Sequence, residues 1–112
     1  MTIDQLKELG ANTAEGLERC LNNEEFYLRM VGLALADDGY DRLKTAIEAH
    51  DLDEAFERAH ALKGSLANVS LTNLLTPVAQ MTEDLRARKD IDYSAKLEEM
   101  FEELEKLRSL ND

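Results

Sequence analysis

One histidine and one lysine lie a helical turn apart in residues 52–70, which read LDEAFERAHALKGSLANVS. The apolar residues of this segment recur at intervals of three and four, which predicts a helix whose buried face carries Ala55, Ala59, Leu62, Leu66 and Val69. His60 projects about 130–140° away from that face, so we predict an exposed imidazole. A neutral imidazole has a free ring nitrogen that can act as a nucleophile.

Three further residues share the predicted His60 face, since Lys63, Gly64 and Ala67 fall within about 60° of the histidine. The lysine ammonium can hold the oxygens of an incoming phosphoryl group as a compact positive charge. Glycine costs about 1 kcal/mol relative to alanine inside a helix, and no turn requires Gly64 here. We therefore expect Gly64 and Ala67 to clear space for a phosphoryl group and for the protein that delivers it.

The chain offers little for a metal site or a disulfide. Its second histidine, His50, lies at a predicted helix end, where a contact with the helix dipole is the favoured interpretation. A zinc site shared by His50 and His60 would need further ligands, and none is identifiable. Cys20 is the only cysteine, so it cannot form an internal disulfide, and it is predicted to pack as a small apolar side chain.

Composition excludes several classes of protein. With 112 residues the chain has the size of one domain, which is predicted to span residues 1–112. The 24 acidic and 13 basic residues give a net charge of -11, which disfavours nucleic acid and anionic membrane surfaces as partners. The N-terminus lacks the pattern of a signal peptide, and no apolar tract approaches the ~18 residues of a membrane span. Together with the single cysteine, these features predict a cytoplasmic protein.

Helical periodicity continues outside the His60 helix, and no alternating strand pattern or hairpin turn is present. Asn12 or Thr13 can cap an early helix with Glu15 in capping-box position, and Asp51 or Asp53 can cap the His60 helix. Pro77 either kinks a helix that ends near residue 89 or begins a helix after Thr76. Breaks between helices are predicted at residues 10, 22–23, 37–39, 51–53, 70–72 and 90–92.

The apolar faces of the other helices follow from the same spacing. The early helix is predicted to bury Leu17 and Leu21, and the helix after residue 39 to bury Leu43, Ala46 and Ile47. The helix after residue 23 is predicted to bury Phe26, Met30, Val31, Leu33 and Leu35. The closing helix is predicted to bury Leu97, Met100, Phe101, Leu104 and Leu107.

The loops between these helices are short, which makes consecutive helices antiparallel neighbours. We therefore predict an all-α protein, an up-and-down antiparallel four-helix bundle with one or two short N-terminal helices. The closing helix could instead form a dimerising coiled coil, but its apolar run is shorter than three heptads. A core role for that helix, and a monomeric protein, are favoured.

The sequence AHALKGSLANVS resembles the signature of histidine-containing phosphotransfer (HPt) domains. In that signature the phosphorylated histidine is followed by lysine three residues on and glycine four residues on, with small residues next. The matching positions here are His60, Lys63, Gly64, Ser65 and Ala67, with Asn68 and Val69 also compatible. The earlier stretch ERCLNNEEFYLRMV is similar to the N-terminal pattern of the family, so the resemblance covers most of the chain.

This resemblance implies a phosphoryl carrier of a two-component phosphorelay. The phospho-aspartate of a receiver domain, or a sensor histidine kinase, would deliver the phosphoryl group to His60, and the aspartate of a receiver would remove it. Mg²⁺ would belong to the receiver, and the chain itself would hold no cofactor or metal. A phosphohistidine intermediate, rather than an ATP-dependent kinase, is expected because no glycine-rich phosphate loop is present.

The resemblance also implies roles for residues around His60. Phe56, one turn earlier, is the leading docking residue, with a core position as the alternative. Ser65, Asn68 and Gln80 either support the phosphoryl site or are ordinary polar surface residues.

Two departures from the family pattern affect the site. Ser70 stands where many members have glycine, so we expect the end of the His60 helix to be less sharply turned. The residue that orients the histidine ring in the family is a Gln or Glu on the following helix. Thr82 aligns with that position here, with Gln80 and Glu83 nearby, and the choice among the three is open.

Two other functions remain open alternatives. One is an inert HPt-like domain that binds and regulates a receiver without carrying a phosphoryl group. The other is a structural helical interaction module. A free-standing protein is expected, with a piece of a larger hybrid kinase as the alternative.

Overall fold

The computed structural model describes residues 1–111, and every regular element in that range is helical. The helices are α1 (Ile3–Glu8), α2 (Thr13–Arg19), α3 (Glu24–Leu35), α4 (Gly39–Glu48), α5 (Leu52–Asn68), α6 (Thr72–Arg86) and α7 (Ser94–Arg108), followed by a 3-10 turn over Ser109–Asn111. The all-α prediction is confirmed, with α1 and α2 as the short N-terminal helices. Asp112, the last residue of the predicted domain, lies outside the described residues.

Side-chain caps fix where four of the helices begin, because each cap satisfies a backbone N–H that has no partner inside the helix. The capping pairs are Thr2 with Gln5 N–H at 3.1 Å, Asn12 with Glu15 N–H at 3.2 Å, Asn23 with Phe26 N–H at 3.0 Å, and Asp51 with Glu54 N–H at 3.2 Å. The cap of α2 is therefore Asn12 and not Thr13, and the cap of α5 is Asp51 and not Asp53.

Helix α5 lies between α4 and α6, and α7 packs on α6. The predicted apolar face of α5 is confirmed, since Ala55, Ala59, Leu62, Leu66 and Val69 are all buried. The C-terminal ends of α7 and α3 are also joined, because the Arg108 side chain donates to the Leu35 carbonyl at 2.8 Å. The core face of α5 is thus covered by its neighbouring helices, and the opposite face, which carries His60, is exposed to solvent.

The buried face of α3 differs from the prediction. Its fully buried residues are Tyr27, Val31 and Leu35. Phe26 and Leu33 were expected in the core, yet they are 43% and 59% exposed. The register shifts because Tyr27 enters the core, where its hydroxyl donates to the Val69 carbonyl at 2.8 Å. A pattern that counts only wholly apolar residues misses this tyrosine, since its polar tip needs a buried partner.

Several helix ends are formed by non-glycine residues with positive φ, at Leu21, Asn22, His50, Ser70 and Arg88. The expectation of a less sharply turned end of α5 is wrong, because Ser70 adopts φ +55°. Its hydroxyl donates to Glu15 at 3.0 Å and its carbonyl accepts the Asn12 N–H at 2.9 Å, which offsets the conformational cost. Leu21 is 91% exposed, so its predicted core position is also wrong.

Helices α6 and α7 settle two alternatives that the sequence left open. Helix α6 begins at Thr72 and contains the buried Pro77, so a start at Thr76 is wrong. The apolar face of α7 packs in the core of the protein. Its buried residues are Leu97, Met100, Leu104 and Leu107, and Phe101 is partly buried. Across residues 1–111, no helix combines the length and the apolar character that crossing a bilayer requires.

Candidate functional site

His60 lies near the middle of α5 and its side chain is exposed, as predicted. The imidazole stacks on the ring of Phe56, with 5.5 Å between ring centroids and 20° between ring planes. Phe56 is one turn earlier on the same helix and is partly buried against the core. The stack covers a face of the imidazole, whereas a nitrogen lone pair lies in the ring plane. The ring is thus supported without its nitrogens being blocked by Phe56.

Two arginines surround the platform formed by Phe56. The guanidinium carbons of Arg86 and Arg88 lie 5.1 Å and 4.7 Å from the centroid of the Phe56 ring, within the range of cation–π attraction. Arg88 also pairs with Asp53 at 2.7 Å, which ties the end of α6 to the start of α5. Phe56 is therefore neither a deep core residue nor a free surface side chain.

Lys63 lies one turn after His60 and is partly exposed. Its ammonium is 3.5 Å from a carboxylate oxygen of Glu83, whose other oxygen is 3.4 Å from Arg86. The hydrogen bond and charge of Arg86, with smaller contributions from Lys63, hold the pKa of the Glu83 carboxyl below its ordinary value. The cation proposed to meet a phosphoryl group therefore already has an anionic partner, which the sequence pattern did not reveal.

Three residues of α6, Gln80, Thr82 and Glu83, were the candidates for orienting the His60 ring. Within residues 1–111, no hydrogen bond joins His60 to Gln80, Thr82 or Glu83. Thr82 is fully buried and donates its hydroxyl to the Val78 carbonyl at 2.7 Å. Gln80 is exposed and lines a shallow hollow with Asp84 and with Lys96 of α7. The contact that the His60 ring does make is the aromatic stack on Phe56.

Gly64 has no structural requirement to be glycine. A Cβ built on it meets no atom within 4 Å, and its φ is not in the left-handed region. By contrast, a Cβ on Gly16 would overlap the ring of Tyr27. Ala67, three residues after Gly64, is partly buried, and its carbonyl accepts a hydrogen bond from the Arg19 guanidinium. The surface is thus open at Gly64, whereas Ala67 is partly covered.

Ser65 and Asn68 are exposed and face α3. Together with Met30, Leu33 and Ala34 they line a shallow groove between α5 and α3. The exposed strip on α5 that holds His60, Lys63, Gly64 and Ala67, called here the His60 strip, therefore has two different borders. Helix α6 supplies a charged border and α3 an apolar one. The contribution of Leu33 was missed because it was assigned to the core.

The second histidine does not join this site. His50 follows the end of α4, and its Nδ1 is 2.9 Å from a carboxylate oxygen of Asp90 in the loop before α7. In the described part of the chain, no group of three or more His, Cys, Asp and Glu side chains could hold a metal ion. Cys20 is buried as a free thiol, so its predicted packing is confirmed.

A family model for the Hpt domain matches residues 27–110. The chain belongs to the Hpt domain family. The Hpt match begins in α3, includes α4 to α7, and contains the whole His60 strip. No curated protein and no solved structure matches the chain. Membership of the Hpt family implies a role in two-component phosphorelay, and members of the family typically interact with receiver domains and kinases.

Proposed function

We propose that this Hpt protein is a phosphorelay carrier whose phosphoacceptor is His60. The phosphoryl group arrives from the phospho-aspartate of a receiver domain or from a sensor histidine kinase, and it leaves to a receiver aspartate. The observation that carries the proposal is the exposed His60 imidazole with Lys63 on the same face of α5, inside the range that matches the Hpt family. The protein carries the phosphoryl group as a phosphohistidine and does not itself use ATP.

In the accepting step, the lone pair of the unprotonated His60 nitrogen attacks the phosphorus of the aspartyl phosphate. The N–P bond forms as the bond from phosphorus to the aspartyl oxygen breaks, and the electron pair of that bond leaves with the carboxylate. The other ring nitrogen keeps its proton during the attack. Transfer to a second receiver is the same exchange in reverse. The Phe56 stack favours this chemistry because it fixes the ring and leaves its edge open.

Lys63 is proposed to stabilise the phosphoryl oxygens, because it lies one turn after His60 on the same face of α5 and its side chain is partly exposed. Mg²⁺ is proposed to be a ligand of the receiver domain, where carboxylates hold it, so this chain contributes the nucleophile and the positioning. No cofactor of its own is proposed.

The His60 strip is also the proposed docking surface for a receiver. Gly64 and Ala67 allow close approach, while Ser65 and Asn68 offer polar contacts next to the exposed Leu33. Phe56 is proposed to contribute through the part of its side chain that stays exposed. Gln80 lies on the α7 side of α6, so it is proposed to act at the margin of this surface.

The packing of α4 on α5, α5 on α6 and α6 on α7 supports the predicted up-and-down antiparallel four-helix bundle. We propose that the protein works as a monomer in the cytoplasm. A monomer fits the closing helix, whose apolar face is buried inside the chain.

The proposal is tested by incubating the protein with a phosphorylated receiver domain and Mg²⁺. Intact mass and peptide mapping at neutral to alkaline pH then locate an acid-labile phosphate. His60→Gln should lose all labelling and keep its helical content. His50→Gln is the matched control, since it removes the chain's other histidine, and it should be labelled as the wild type is.

Each alternative outcome has a distinct meaning. Normal labelling of His60→Gln would refute the phosphoacceptor assignment. Binding of receivers without any transfer would identify an inert regulator. If neither transfer nor binding is seen with several receivers, the protein is a structural helical module.

A further inference from the structure

The Glu83 carboxylate on α6 bridges two cations at the charged border of the His60 strip. One oxygen is 3.5 Å from the Lys63 ammonium and the other is 3.4 Å from the Arg86 guanidinium. Lys63 is the cation that shares a helix face with His60. Its ammonium is therefore engaged by an anion before any phosphoryl group arrives.

Glu83 carries its negative charge throughout the neutral range. Its side chain is 60% exposed, so little desolvation opposes ionisation. Both neighbouring cations favour the charged form and lower the pKa of the carboxyl. A negative charge thus lies 3.5 Å from the ammonium of Lys63, the lysine that shares a helix face with His60.

The carboxylate is also held in place. Arg86 bonds it from one turn further along α6, and the same guanidinium lies over the ring of Phe56. Phe56 in turn stacks on His60. A continuous series of contacts therefore runs from His60 through Phe56 and Arg86 to the Glu83 carboxylate.

A phosphohistidine carries close to two negative charges near neutral pH, as other phosphorylated side chains do. Glu83 would repel this group and compete with it for the Lys63 ammonium. We propose that Glu83 is a built-in competitor of the phosphoryl group for Lys63, which keeps the group on His60 loosely held and ready to leave. This inference rests on the proposed function and specifies how the same site is regulated.

The test measures the charge state of the phosphoryl group directly. Phosphoramidate, a small phosphodonor, phosphorylates His60 as its own P–N bond breaks and ammonia leaves. The pH midpoint of the phosphohistidine resonance is then followed by ³¹P NMR in wild type, Glu83→Gln and Asp84→Asn. Asp84 is the matched control because it is the next residue of α6, has the same charge, and pairs with Lys89 instead.

Glu83→Gln should lower the midpoint by about 0.5 pH unit, because removing a nearby negative charge favours the phosphoryl dianion. Asp84→Asn should leave the midpoint unchanged. Added salt should shrink the difference between wild type and Glu83→Gln, since the groups are exposed. A change in packing alone would not produce this dependence on salt.

A second measurement uses the equilibrium with a receiver domain. Glu83→Gln should shift that equilibrium towards phosphohistidine by about threefold, which matches the expected midpoint change. If Glu83→Gln equals wild type in both measurements, the competitor role is overturned. Failure of the proposed function is distinguishable, because receivers would then not transfer to His60 while the phosphoramidate titration would still report on Glu83. Absence of any label on His60 from phosphoramidate would overturn both.

Discussion

The imidazole of His60 stacks on the ring of Phe56, at 5.5 Å between centroids and 20° between planes. This contact restricts how the histidine ring can turn, which a solvent-exposed histidine would otherwise do freely. Because Arg86 and Arg88 lie over the same phenyl ring, the platform is itself restrained. The imidazole therefore rests on an aromatic neighbour on its own helix.

Phe56→Leu should lower the rate of phosphotransfer to His60 several-fold. Leucine keeps the apolar contact with the core but lacks the flat face on which the imidazole rests. The cost in unfolding free energy should be modest, about 1 kcal/mol, because Phe56 is only partly buried. Rapid-quench transfer kinetics and urea denaturation measure the two effects, and an unchanged transfer rate would contradict the platform role.

Lys63→Ala should slow phosphotransfer or shorten the lifetime of the phosphohistidine, since a cation next to the phosphoryl oxygens is removed. The stability of the fold should change by less than about 1 kcal/mol, as for other exposed ion pairs. Lys96→Ala is the matched control, because Lys96 is also a half-exposed lysine in an ion pair, but on α7. Equal kinetics in the two variants would remove Lys63 from the site.

Gly64→Ala should make the protein more stable and a poorer phosphotransfer partner. The added methyl group meets no atom within 4 Å, so the helix gains about 1 kcal/mol, or roughly 4 °C in Tm. Gly32→Ala is the control for stability, since it is also in open space within a helix. It lies about 160° around α3 from Met30, away from the groove beside the His60 strip. Transfer that is equally fast in both variants would mean that Gly64 is not needed for access.

Leu33→Asp should weaken receiver binding about tenfold or more, because it places a charge in the apolar border of the proposed docking surface. Leu33 is 59% exposed, so the fold should be retained. Ile91→Asp is the control, since Ile91 is 49% exposed and lies in a different groove, between α4 and α7. Titration calorimetry with a receiver domain compares the two, and equal affinities would exclude α3 from the interface.

Alkaline pH should destabilise the protein through its buried tyrosines. Burial, assisted by the nearby charge of Asp37, raises the pKa of the Tyr40 hydroxyl far above its ordinary value of 10.0. The unfolded state then loses this proton from about pH 10 while the native state retains it, so stability falls as pH rises past that point. The contribution is fully present at neutral pH.

Tyr40→Phe separates this effect from packing. At about pH 8 it should cost 0.5–1.5 kcal/mol, since the 2.9 Å hydrogen bond to the Ala34 carbonyl is lost. Above pH 10 its stability should fall less steeply than that of the wild type. Urea denaturation across this pH range gives both values, and parallel curves would show that Tyr40 does not ionise on unfolding.

Local patterns in the sequence were sufficient for the α5 helix and its motif. The spacing of Ala55, Ala59, Leu62 and Leu66 defines a buried face, and the geometry of a helix then forces His60 outward with Lys63 and Gly64 beside it. The caps at Asn12, Asn23 and Asp51 are local as well, since each bonds a backbone group three residues away. Such features depend on near neighbours in the chain, which is why they could be predicted.

The partners of those residues depended on the tertiary structure. Tyr27 enters the core because its hydroxyl bonds to the Val69 carbonyl, 42 residues away. As a result, Phe26 and Leu33 are exposed. The engagement of Lys63 by Glu83, and the absence of a hydrogen bond from Thr82 to His60, follow from how α6 is rotated against α5. The periodicity of a helix determines which of its residues share a face. It does not determine which face of a neighbouring helix packs against that face. The sequence thus determined the nucleophile and its helix, while only packing between helices decided the charges and apolar surface around it.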